Sequence, residues 1–543
     1  MNYTQRGQDR FESQPDEELR FDGWLEAHSD LTAILVVTAA FLIRLRTAGD
    51  TFLNPDEALH YLLANQFTWL LAYKASLTNA HPALLTFVLH FWRQLGTSEL
   101  MLRLPSVMAG TAFCWTFFKW LTRIFGRLTG FTGLILVSFL PPLIALSAEV
   151  RQYALLLFFL AAAAYCLERA LAESSAGTML LSAIFLYLGL LTHYSAILFA
   201  AAMGVYSLLR VIARPSDKVT VAWIMGQAGS VGLVAALYVS HISKLKGNYA
   251  AGTIQGWLAN SFFRPGHDNP FLFAFARTGG VFQYVFGQLA VGDIAYLAFI
   301  AAAVLVWRGK CLARQPTATS HQLVILLVLP FLVGAAAAIA RIYPYGGTRH
   351  SAFLIMFAVA GVSFAMARSA KENIRQAIAL AILVIAACNA FGKPHRPYIV
   401  REDQSRIQMT RATEFIRSQI PPSELIFVDY QTRLLLGYYV CPEEPVPFAA
   451  PVGSLERVQC GNHHVGAAGP DLYIFNAENF LPRWNELTRA LSLKPGENVW
   501  VIQAGWDVNL SNDLQPELPQ LQSVNSHWFG KNIAIFALTV GKP

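Results

Sequence analysis

Charged residues are scarce in this sequence. Asp, Glu, Lys and Arg make up 14% of its 543 residues, whereas soluble domains carry roughly a quarter. Hydrophobic residues make up 55%, and apolar runs long enough to cross a bilayer recur over most of the chain. The low charge and the apolar runs exclude a disordered or collagen-like chain and predict a polytopic membrane protein.

Cysteine is also rare, with 6 residues and no Cys-x-x-Cys pair or Cys/His cluster. This excludes a disulfide scaffold and offers no pattern for zinc. The chain has no Gly-x-Gly-x-x-Gly or Walker pattern, which argues against a nucleotide-sugar donor bound on a Rossmann domain. The net charge of +7 forms no basic stripe interleaved with aromatic residues, so nucleic acid is not predicted as a partner.

Hydropathy predicts about eleven transmembrane helices. They cover residues 31–45, 104–121, 128–146, 152–171, 178–193, 195–212, 221–240, 281–306, 322–341, 350–367 and 376–391. Residues 81–95 form a shorter apolar run that is broken by His90 and Arg93, so we predict an amphipathic helix lying in the membrane interface. Residues 1–28 are polar and acid-rich and predict a short cytoplasmic tail.

The positions of Lys and Arg predict the orientation of these helices. Basic residues cluster in four alternate connections, at Lys119–Arg127, Arg210–Lys218, Arg308–Arg314 and Arg368–Arg375. These connections are expected to face the cytoplasm. The connections 46–103, 147–151, 193–195, 241–280 and 342–349 then face outward, as does everything after residue 391. The basic residues of 393–401 oppose this scheme, but four connections outweigh one.

Beyond residue 391 the composition becomes that of a soluble domain. Short β-rich runs at Leu425–Tyr430, Leu472–Asn476, Val499–Ala504 and Ile533–Val540 alternate with helix-like stretches at Thr410–Ile420 and Pro482–Leu491. The pattern predicts a small α/β domain over 392–543, after a transmembrane domain over 29–391. Outside the cytoplasm Cys441 and Cys460 can form a disulfide, and two free buried thiols fit the sequence equally well.

The first outward loop contains two adjacent carboxylates, Asp56 and Glu57, directly after Pro55 and at the start of a helix-like run. One carboxylate can take a proton from a reacting hydroxyl while the other orients it. The same residues are typical of a helix N-terminus, with Asp56 as the cap and Glu57 in the first turn. From these residues alone capping is favoured.

Three further motifs follow in order. They are His81-Pro82, Arg103-Leu-Pro-Ser106 and Glu149-x-Arg151-x-Tyr153. Together with Pro55-Asp56-Glu57 they resemble the protein O-mannosyltransferase and aminoarabinose transferase family, whose members are glycosyltransferases of the GT-C membrane fold. The resemblance is strongest over residues 30–200 and does not extend to the C-terminal domain. It implies an all-α, GT-C-like polytopic membrane protein with the small α/β domain appended.

The resemblance also implies a reaction. The enzyme, a hexosyl- or pentosyltransferase, moves a sugar from a polyprenyl-phosphate carrier to an acceptor hydroxyl at the outer face of the membrane. By the same resemblance Asp56 is the general base and Glu57 supports it. His81 lies near the donor phosphate, and the cavity beside Asp56 is lined by Glu149, Arg151 and Tyr153, with Arg151 available to the donor.

Further cations are candidates for the donor phosphate, because arginine matches two phosphate oxygens with its planar guanidinium. Arg349 and His350 follow a glycine pair where an outward loop re-enters the membrane, although an interfacial anchor fits as well. Lys244 and Lys246 lie in the long loop 241–280, where ordinary solvated charge is the commoner explanation. His193 and Tyr194, at an outward turn, are expected only to line the cavity.

Asp56, Glu149 and His81 make a divalent metal possible, but no spacing requires one and no metal is predicted. The expected partners are a lipid-linked sugar donor, a glycan, lipid or protein acceptor, and membrane lipid. A transporter or flippase of lipid-linked glycans is the alternative function, and it is disfavoured because the charges crowd one face and no paired halves are visible. The compact loops and the unmatched C-terminal domain do not resemble the eukaryotic members of the family, so the resemblance implies a bacterial inner membrane, with the active site facing the periplasm.

Overall fold

The computed structural model describes residues 28–247, 256, 258–310, 318–371, 373–390, 405–441, 455–510 and 521–540. Its N-terminal part is helical throughout. The helices are α1 (Ser29–Asp50), α2 (Pro55–Ala64), α3 (Trp69–Ser76), α4 (Leu84–Trp92), α5 (Glu99–Phe125), α6 (Arg127–Phe139), α7 (Pro141–Ser147), α8 (Tyr153–Glu173), α9 (Ala176–Thr192), α10 (Ser195–Ala213), α11 (Asp217–Ser240), α12 (Pro270–Phe286), α13 (Leu289–Trp307), α14 (Ser320–Ile339), α15 (Ile355–Ser369) and α16 (Ile374–Ala390). The predicted tail lies outside the described residues except for His28.

Seven helical segments of the described residues are long and apolar enough to cross a membrane, or up to eight if the bent pair α6 and α7 forms one span. One of the seven is α15 together with the 3₁₀ turn Arg349–Leu354 that precedes it. α9 and α16 are apolar but shorter. The seven are fewer than the predicted eleven or so, yet ten of the predicted segments coincide with single helices or with the bent pair. The predicted amphipathic segment contains α4, which buries Leu85 and Leu89 while Phe91 is exposed.

The single span predicted at 281–306 is wrong, because two helices occupy this region. α12 ends at Phe286, and Gly287 follows it with φ of 69°, a left-handed conformation that favours glycine and terminates helices. α13 begins two residues later, at Leu289. Hydropathy misses this turn because apolar residues continue on both sides of it.

α6 and α7 meet at an angle of 63°, and a buried arginine compensates for the break. Pro141 and Pro142 have no N–H, so the carbonyls of Val137 and Ser138 lose their helical donors four residues ahead. The fully buried Arg44 replaces them. Its guanidinium donates to the Val137 oxygen at 2.8 Å and to the Ser138 oxygen at 2.9 Å.

The C-terminal part forms the predicted small α/β domain. Its helices are α17 (Arg406–Gln419), α18 (Tyr430–Tyr439) and α19 (Ala477–Ala490), and its strands are β1 (Leu425–Val428), β2 (Leu455–Cys460), β3 (His463–Ala468), β4 (Asn498–Ala504), β5 (Leu521–Trp528) and β6 (Ile533–Val540). The strand order is β2-β3-β1-β4-β6-β5. β1 runs parallel to β3 and β4, and the other pairs are antiparallel.

The strand predicted at Leu472–Asn476 is wrong. These residues form the loop before α19, where Phe475 is buried in the core and the Asn476 side chain caps the helix. A short apolar run in the sequence can belong to a strand or to a loop that packs against a helix N-terminus, and hydropathy does not distinguish the two. The two alternatives for Cys441 and Cys460 are resolved in favour of a disulfide, with the Cα atoms 5.0 Å apart.

The C-terminal domain docks on the helical part through α18. The backbone N–H of Leu53 donates to the Tyr439 hydroxyl at 2.8 Å, and that hydroxyl donates to Glu99 Oε1 at 2.9 Å. The hydroxyl of Tyr438 donates to the Thr97 carbonyl at 2.7 Å. A buried apolar cluster joins the two parts, with Phe52, Leu53, Met409, Leu435 and Ile533 among its members. The domain therefore covers the end of the bundle that carries α2, while the boundaries at 28 and 391 remain predictions.

Candidate active site

The start of α2 is fixed by its own sequence. The Asn54 side chain accepts a hydrogen bond from the Glu57 backbone N–H at 3.0 Å, and the Glu57 carboxylate accepts one from the Asn54 N–H at 2.9 Å. This reciprocal pair is a capping box, with Pro55 in the first helical turn. The alternative that Asp56 caps the helix is therefore wrong, because Asn54 does so.

Glu57 is saturated by hydrogen bonds. Its two oxygens accept from Arg103 Nε and Nη2, both at 2.7 Å, from the Val150 N–H at 2.8 Å and from the Asn54 N–H. Arg103 also donates to the carbonyls of Ala48, Thr51 and Phe52. The Glu57 carboxylate thus joins α2, α5 and the loop before α8, and it has no free oxygen to offer a substrate.

Asp56 lies between two arginines. Its Oδ2 atom is 2.6 Å from Arg349 Nη2 and 3.0 Å from Arg151 Nη1. Burial raises the pKa of Asp56, but the charges of the two arginines outweigh it and lower the pKa to about 2. Asp56 is therefore ionised at neutral pH, in a site with two cations and partial access to solvent.

Glu149 lies beside this group and is buried. Burial raises its pKa to about 7, the Glu57 carboxylate contributes in the same direction, and the nearby charges of Arg349 and Arg151 only partly oppose them. This carboxyl group therefore exchanges its proton near neutral pH. It lies beside Asp56 and the two arginines, and the cavity-lining role that the family resemblance implies for it remains a prediction.

Four histidine rings form a row beside the carboxylates. The ring centroids of His60 and His81 are 6.3 Å apart, those of His81 and His193 are 5.1 Å apart, and those of His193 and His350 are 6.4 Å apart. Burial lowers the pKa of His60 and of His193 to about 3, and that of His81 well below its usual range. These three rings are neutral at pH 7, so the positive charge of the site comes from the arginines.

Tyr153 completes the group. Its ring lies 5.6 Å from the Arg151 guanidinium and 5.9 Å from that of Arg349, and its centroid is 5.2 Å from that of His193. Within the part of the chain that the structure describes, its buried hydroxyl has no hydrogen-bond partner. The structure thus brings together eight predicted site residues: Asp56, His81, Glu149, Arg151, Tyr153, His193, Arg349 and His350.

Three predicted residues lie apart from this group or cannot be placed in it. The hydroxyl of Tyr194 hydrogen-bonds Nδ1 of His241. Lys244 is exposed next to His241, and no described contact joins it to Asp56 or the arginines. Lys246 lies in the 3₁₀ turn Ile242–Gly247, and its side chain is outside the described part of the structure.

The sequence analysis missed His60. It follows Asp56 by four residues in α2, which places both side chains on one face of the helix. It is buried, and among the described residues neither ring nitrogen has a hydrogen-bond partner. The Asp56-x-x-x-His60 spacing was the available signal.

A divalent metal remained possible from the sequence. Across the described ranges, no group of three or more His, Cys, Asp or Glu side chains is arranged to hold a metal ion. The histidine row is a stack of rings and does not converge on one point. The absence of a metal remains a prediction.

Part of the chain resembles a known family, and the fold resembles solved structures. The family model for dolichyl-phosphate-mannose-protein mannosyltransferase matches residues 80–240. The structure of ArnT from Cupriavidus metallidurans in the apo state has a TM-score of 0.53 and 11% identity, and the match covers 95% of this chain and 98% of that one. A search of the curated proteins finds no match.

Two further structures are similar at lower scores. ArnT from Cupriavidus metallidurans bound to undecaprenyl phosphate has a TM-score of 0.40 and 13% identity, covering 93% of this chain and 97% of that one. The Archaeoglobus fulgidus oligosaccharyltransferase tethered with an acceptor peptide has a TM-score of 0.48 and 10% identity, covering 96% of this chain and 75% of that one. The match to apo ArnT confirms the predicted polytopic helical fold with its appended C-terminal domain, and the apolar helices support a multi-pass membrane protein.

Proposed function

We propose that this protein is a membrane glycosyltransferase that moves a sugar from a polyprenyl-phosphate donor to an acceptor hydroxyl. The observation that carries the proposal is the placement of one carboxylate, Asp56, between Arg151 and Arg349. A sugar bound to phosphate already has a good leaving group. The protein must then deprotonate the nucleophile and neutralise the phosphate, and this group of residues can do both.

The reaction assigns a role to each charge. The acceptor hydroxyl gives its proton to the Asp56 carboxylate, and its oxygen attacks the anomeric carbon of the sugar. The bond between that carbon and the phosphate oxygen breaks, and its electron pair stays on the phosphate. Arg151 and Arg349 stabilise the developing charge, because guanidinium groups form short, charge-assisted bonds to phosphate oxygens.

The same contacts imply an order of binding. Without donor, the two arginines pair with Asp56 and hold its pKa at about 2, which makes it a poor base. A donor phosphate competes for the same N–H groups, so its arrival loosens both pairs and raises the pKa of Asp56 toward its ordinary value. Asp56 then becomes an effective base only when the donor is in place, which protects the site from unproductive proton transfer.

The neutral side chains are suited to the sugar. His60 lies one helical turn after Asp56, and His81 is the next ring after His60 in the row. A neutral imidazole offers one donor and one acceptor to sugar hydroxyls. His81, which the resemblance places near the donor phosphate, would then act through a neutral hydrogen bond. Glu149, which exchanges its proton near neutral pH, can hydrogen-bond the sugar in either protonation state.

Other parts of the proposal rest on the relatives and the domain. ArnT, whose apo form shares the fold, has been described bound to undecaprenyl phosphate, which supports a polyprenyl-phosphate donor, and the hexose or pentose on it follows from the family resemblance alone. The disulfide between Cys441 and Cys460 is typical of an oxidising compartment. It supports a site on the outer face, and we place the protein in a bacterial inner membrane with that face toward the periplasm.

The test compares membranes containing wild type with membranes containing Asp56→Asn. Each receives a panel of labelled polyprenyl-phosphate hexoses and pentoses, and loss of label from the carrier is followed. Asparagine keeps the shape of the side chain, and Asn54 still caps the helix, so the fold is retained. Turnover is expected to fall by at least about 100-fold.

Asp50→Asn is the matched control. Asp50 ends α1, is exposed and pairs only with Arg46 one turn away among the described ion pairs, so its variant should consume donor at the wild-type rate. Equal turnover by wild type and Asp56→Asn would overturn the assignment of the base. Failure of wild type to consume any hexose or pentose donor in the panel would overturn the proposed reaction.

A further inference from the structure

Three aromatic side chains of the C-terminal domain lie together near Asp56. The ring centroids of Tyr430 and Tyr473 are 6.0 Å apart, and the Trp506 side chain hydrogen-bonds the Tyr473 hydroxyl. All three are partly exposed. Burial raises the pKa of Tyr473 well above its usual range and the Asp56 carboxylate raises it further, so the tyrosine is within reach of that charge.

Gln431, next to Tyr430 at the start of α18, holds the two loops that carry Tyr473 and Trp506. Its backbone N–H donates to the Tyr473 carbonyl at 3.2 Å. Its side-chain oxygen accepts from the backbone N–H of Trp506 at 3.0 Å, and its side-chain nitrogen donates to the Asp507 carbonyl at 2.8 Å. The Tyr430 N–H donates to the Leu472 carbonyl at 3.0 Å. One buried amide therefore fixes both loops, which orders the three aromatic side chains before any ligand binds.

The loop after β4, which carries Trp506, also contacts the start of α2 directly. A Cβ atom at Gly505 would lie 2.8 Å from Pro55 Cγ and 2.6 Å from the Gln431 side-chain oxygen, and the residue has φ of 135°. Only glycine fits this approach. Asn532 secures the loop by donating to the Gly505 carbonyl at 3.0 Å. The three rings thus have a fixed position relative to Asp56, one residue after Pro55.

We propose that Tyr430, Tyr473 and Trp506 form the acceptor subsite and that the acceptor is a carbohydrate. The inference rests on the proposed function, and it gives the C-terminal domain a role in recognition. One face of a pyranose ring presents C–H groups that pack on aromatic rings, and its edge presents hydroxyls that need polar partners. The three rings offer the apolar surface, the Tyr473 hydroxyl can still donate while it accepts from Trp506, and a hydroxyl of the stacked sugar would point toward Asp56.

A peptide acceptor fits this surface less well. An extended peptide that adds a strand to a sheet needs the unpaired backbone groups of an exposed sheet edge. The surface beside Asp56 is built from the loops before α19 and after β4, and it presents side chains where a peptide would need a strand edge. The observations therefore favour a sugar over a serine- or threonine-containing peptide.

The experiment uses the full-length protein in lipid nanodiscs. Transfer of label from the donor is measured to lactose, cellobiose and diacetylchitobiose, and to a serine- and threonine-rich peptide, in wild type, Tyr473→Ala and Tyr473→Phe. Phenylalanine keeps the ring that packs on the sugar, whereas alanine removes it. Binding of the same three sugars without donor is measured by tryptophan fluorescence.

We expect a saturable fluorescence change with at least one sugar and transfer to that sugar. Tyr473→Ala should raise the acceptor KM about tenfold, since a stacked ring contributes about 1.4 kcal/mol, and should leave the donor KM unchanged. Tyr473→Phe should stay within about threefold of wild type. His464→Ala is the control and should match wild type, because His464 is exposed in β3 opposite Leu425, at the end of β1 away from Val428.

The failures are distinguishable. If wild type consumes no donor, the proposed function fails, and the fluorescence titration still tests the sugar site. If donor is consumed but label passes only to the peptide, or no sugar binds, the carbohydrate subsite is wrong. An equal change in donor and acceptor KM for Tyr473→Ala would also overturn it, because that result indicates a structural role.

Discussion

Two adjacent carboxylates of this protein have opposite surroundings. The side chains of Glu57 and Arg103 are 1% and 2% exposed. Both Glu57 oxygens accept hydrogen bonds, and the donors come from three different segments. Asp56 is 20% exposed, and its arginines, Arg151 and Arg349, are 6% and 16% exposed. The first ion pair is sealed into the fold, whereas the second opens toward a row of neutral histidines.

The difference separates structure from chemistry. A buried carboxylate whose four acceptor positions are filled cannot take a proton or bind a ligand without breaking the fold. A carboxylate held by two arginines that could equally bind phosphate is poised to exchange partners. These two adjacent residues therefore have different tasks, and their hydrogen bonds and exposure distinguish them.

Removing the sealed pair should have the largest effect on stability. Arg103→Met leaves the Glu57 charge buried without its partner, which costs about 3–5 kcal/mol. We expect little folded protein in the membrane fraction and a clearly lower thermal midpoint by fluorescence-detected size exclusion. Arg46→Met is the control, because the Arg46 pair with Asp50 is exposed and should change the midpoint little. Comparable midpoints for both variants would show that the sealed pair contributes little.

Altering the open pair should instead change donor binding. Arg349→Lys keeps the charge but loses the planar fork that matches two phosphate oxygens. The donor KM is expected to rise about tenfold, equivalent to about 1.4 kcal/mol, with the thermal midpoint nearly unchanged. Arg341→Lys, at an exposed position eight residues earlier, should leave the donor KM as in wild type. A drop in the midpoint without a change in donor KM would place Arg349 with the structural residues.

Replacing Glu149 should have the smallest effect on stability, and the size of that effect should depend on pH. Its pKa in the folded protein is raised to about 7 from 4.5, so the stability associated with its protonated form is fully present below about pH 4.5. That stability is lost as the pH rises through about 7. Between pH 5 and pH 8 the thermal midpoint of wild type should therefore fall more than that of Glu149→Gln. Parallel curves for the two proteins would show that Glu149 stays ionised throughout.

The sequence predicts the fold through composition, because apolar length alone identifies most of the helices. It fails at Gly287, where a turn separates two helices within a largely apolar stretch, and at residues 472–476, where buried loop residues give the pattern of a strand. Both errors arise because local hydropathy does not report which backbone groups are satisfied.

The site was predictable in part. Asp56 and Arg349 are 293 residues apart, and the sequence joins them only through the family resemblance and the glycines before Arg349. The opposite roles of Asp56 and Glu57 could not be predicted, because they depend on Arg103 and Val150 in other segments. Tyr473 was also out of reach, since its position near Asp56 follows from the docking of a domain that has no recognisable motif.

Asp56 and the donor phosphate are proposed to compete for the same two arginines. The most direct test is the affinity of the full-length protein in nanodiscs for undecaprenyl phosphate, measured for wild type, Asp56→Asn and Glu57→Gln. Asp56→Asn frees both arginines and should bind the carrier about tenfold more tightly, although it transfers no sugar. Glu57→Gln removes a neighbouring negative charge but leaves these arginines paired, so its folded fraction should bind like wild type. Weaker or unchanged binding by Asp56→Asn would contradict the claim.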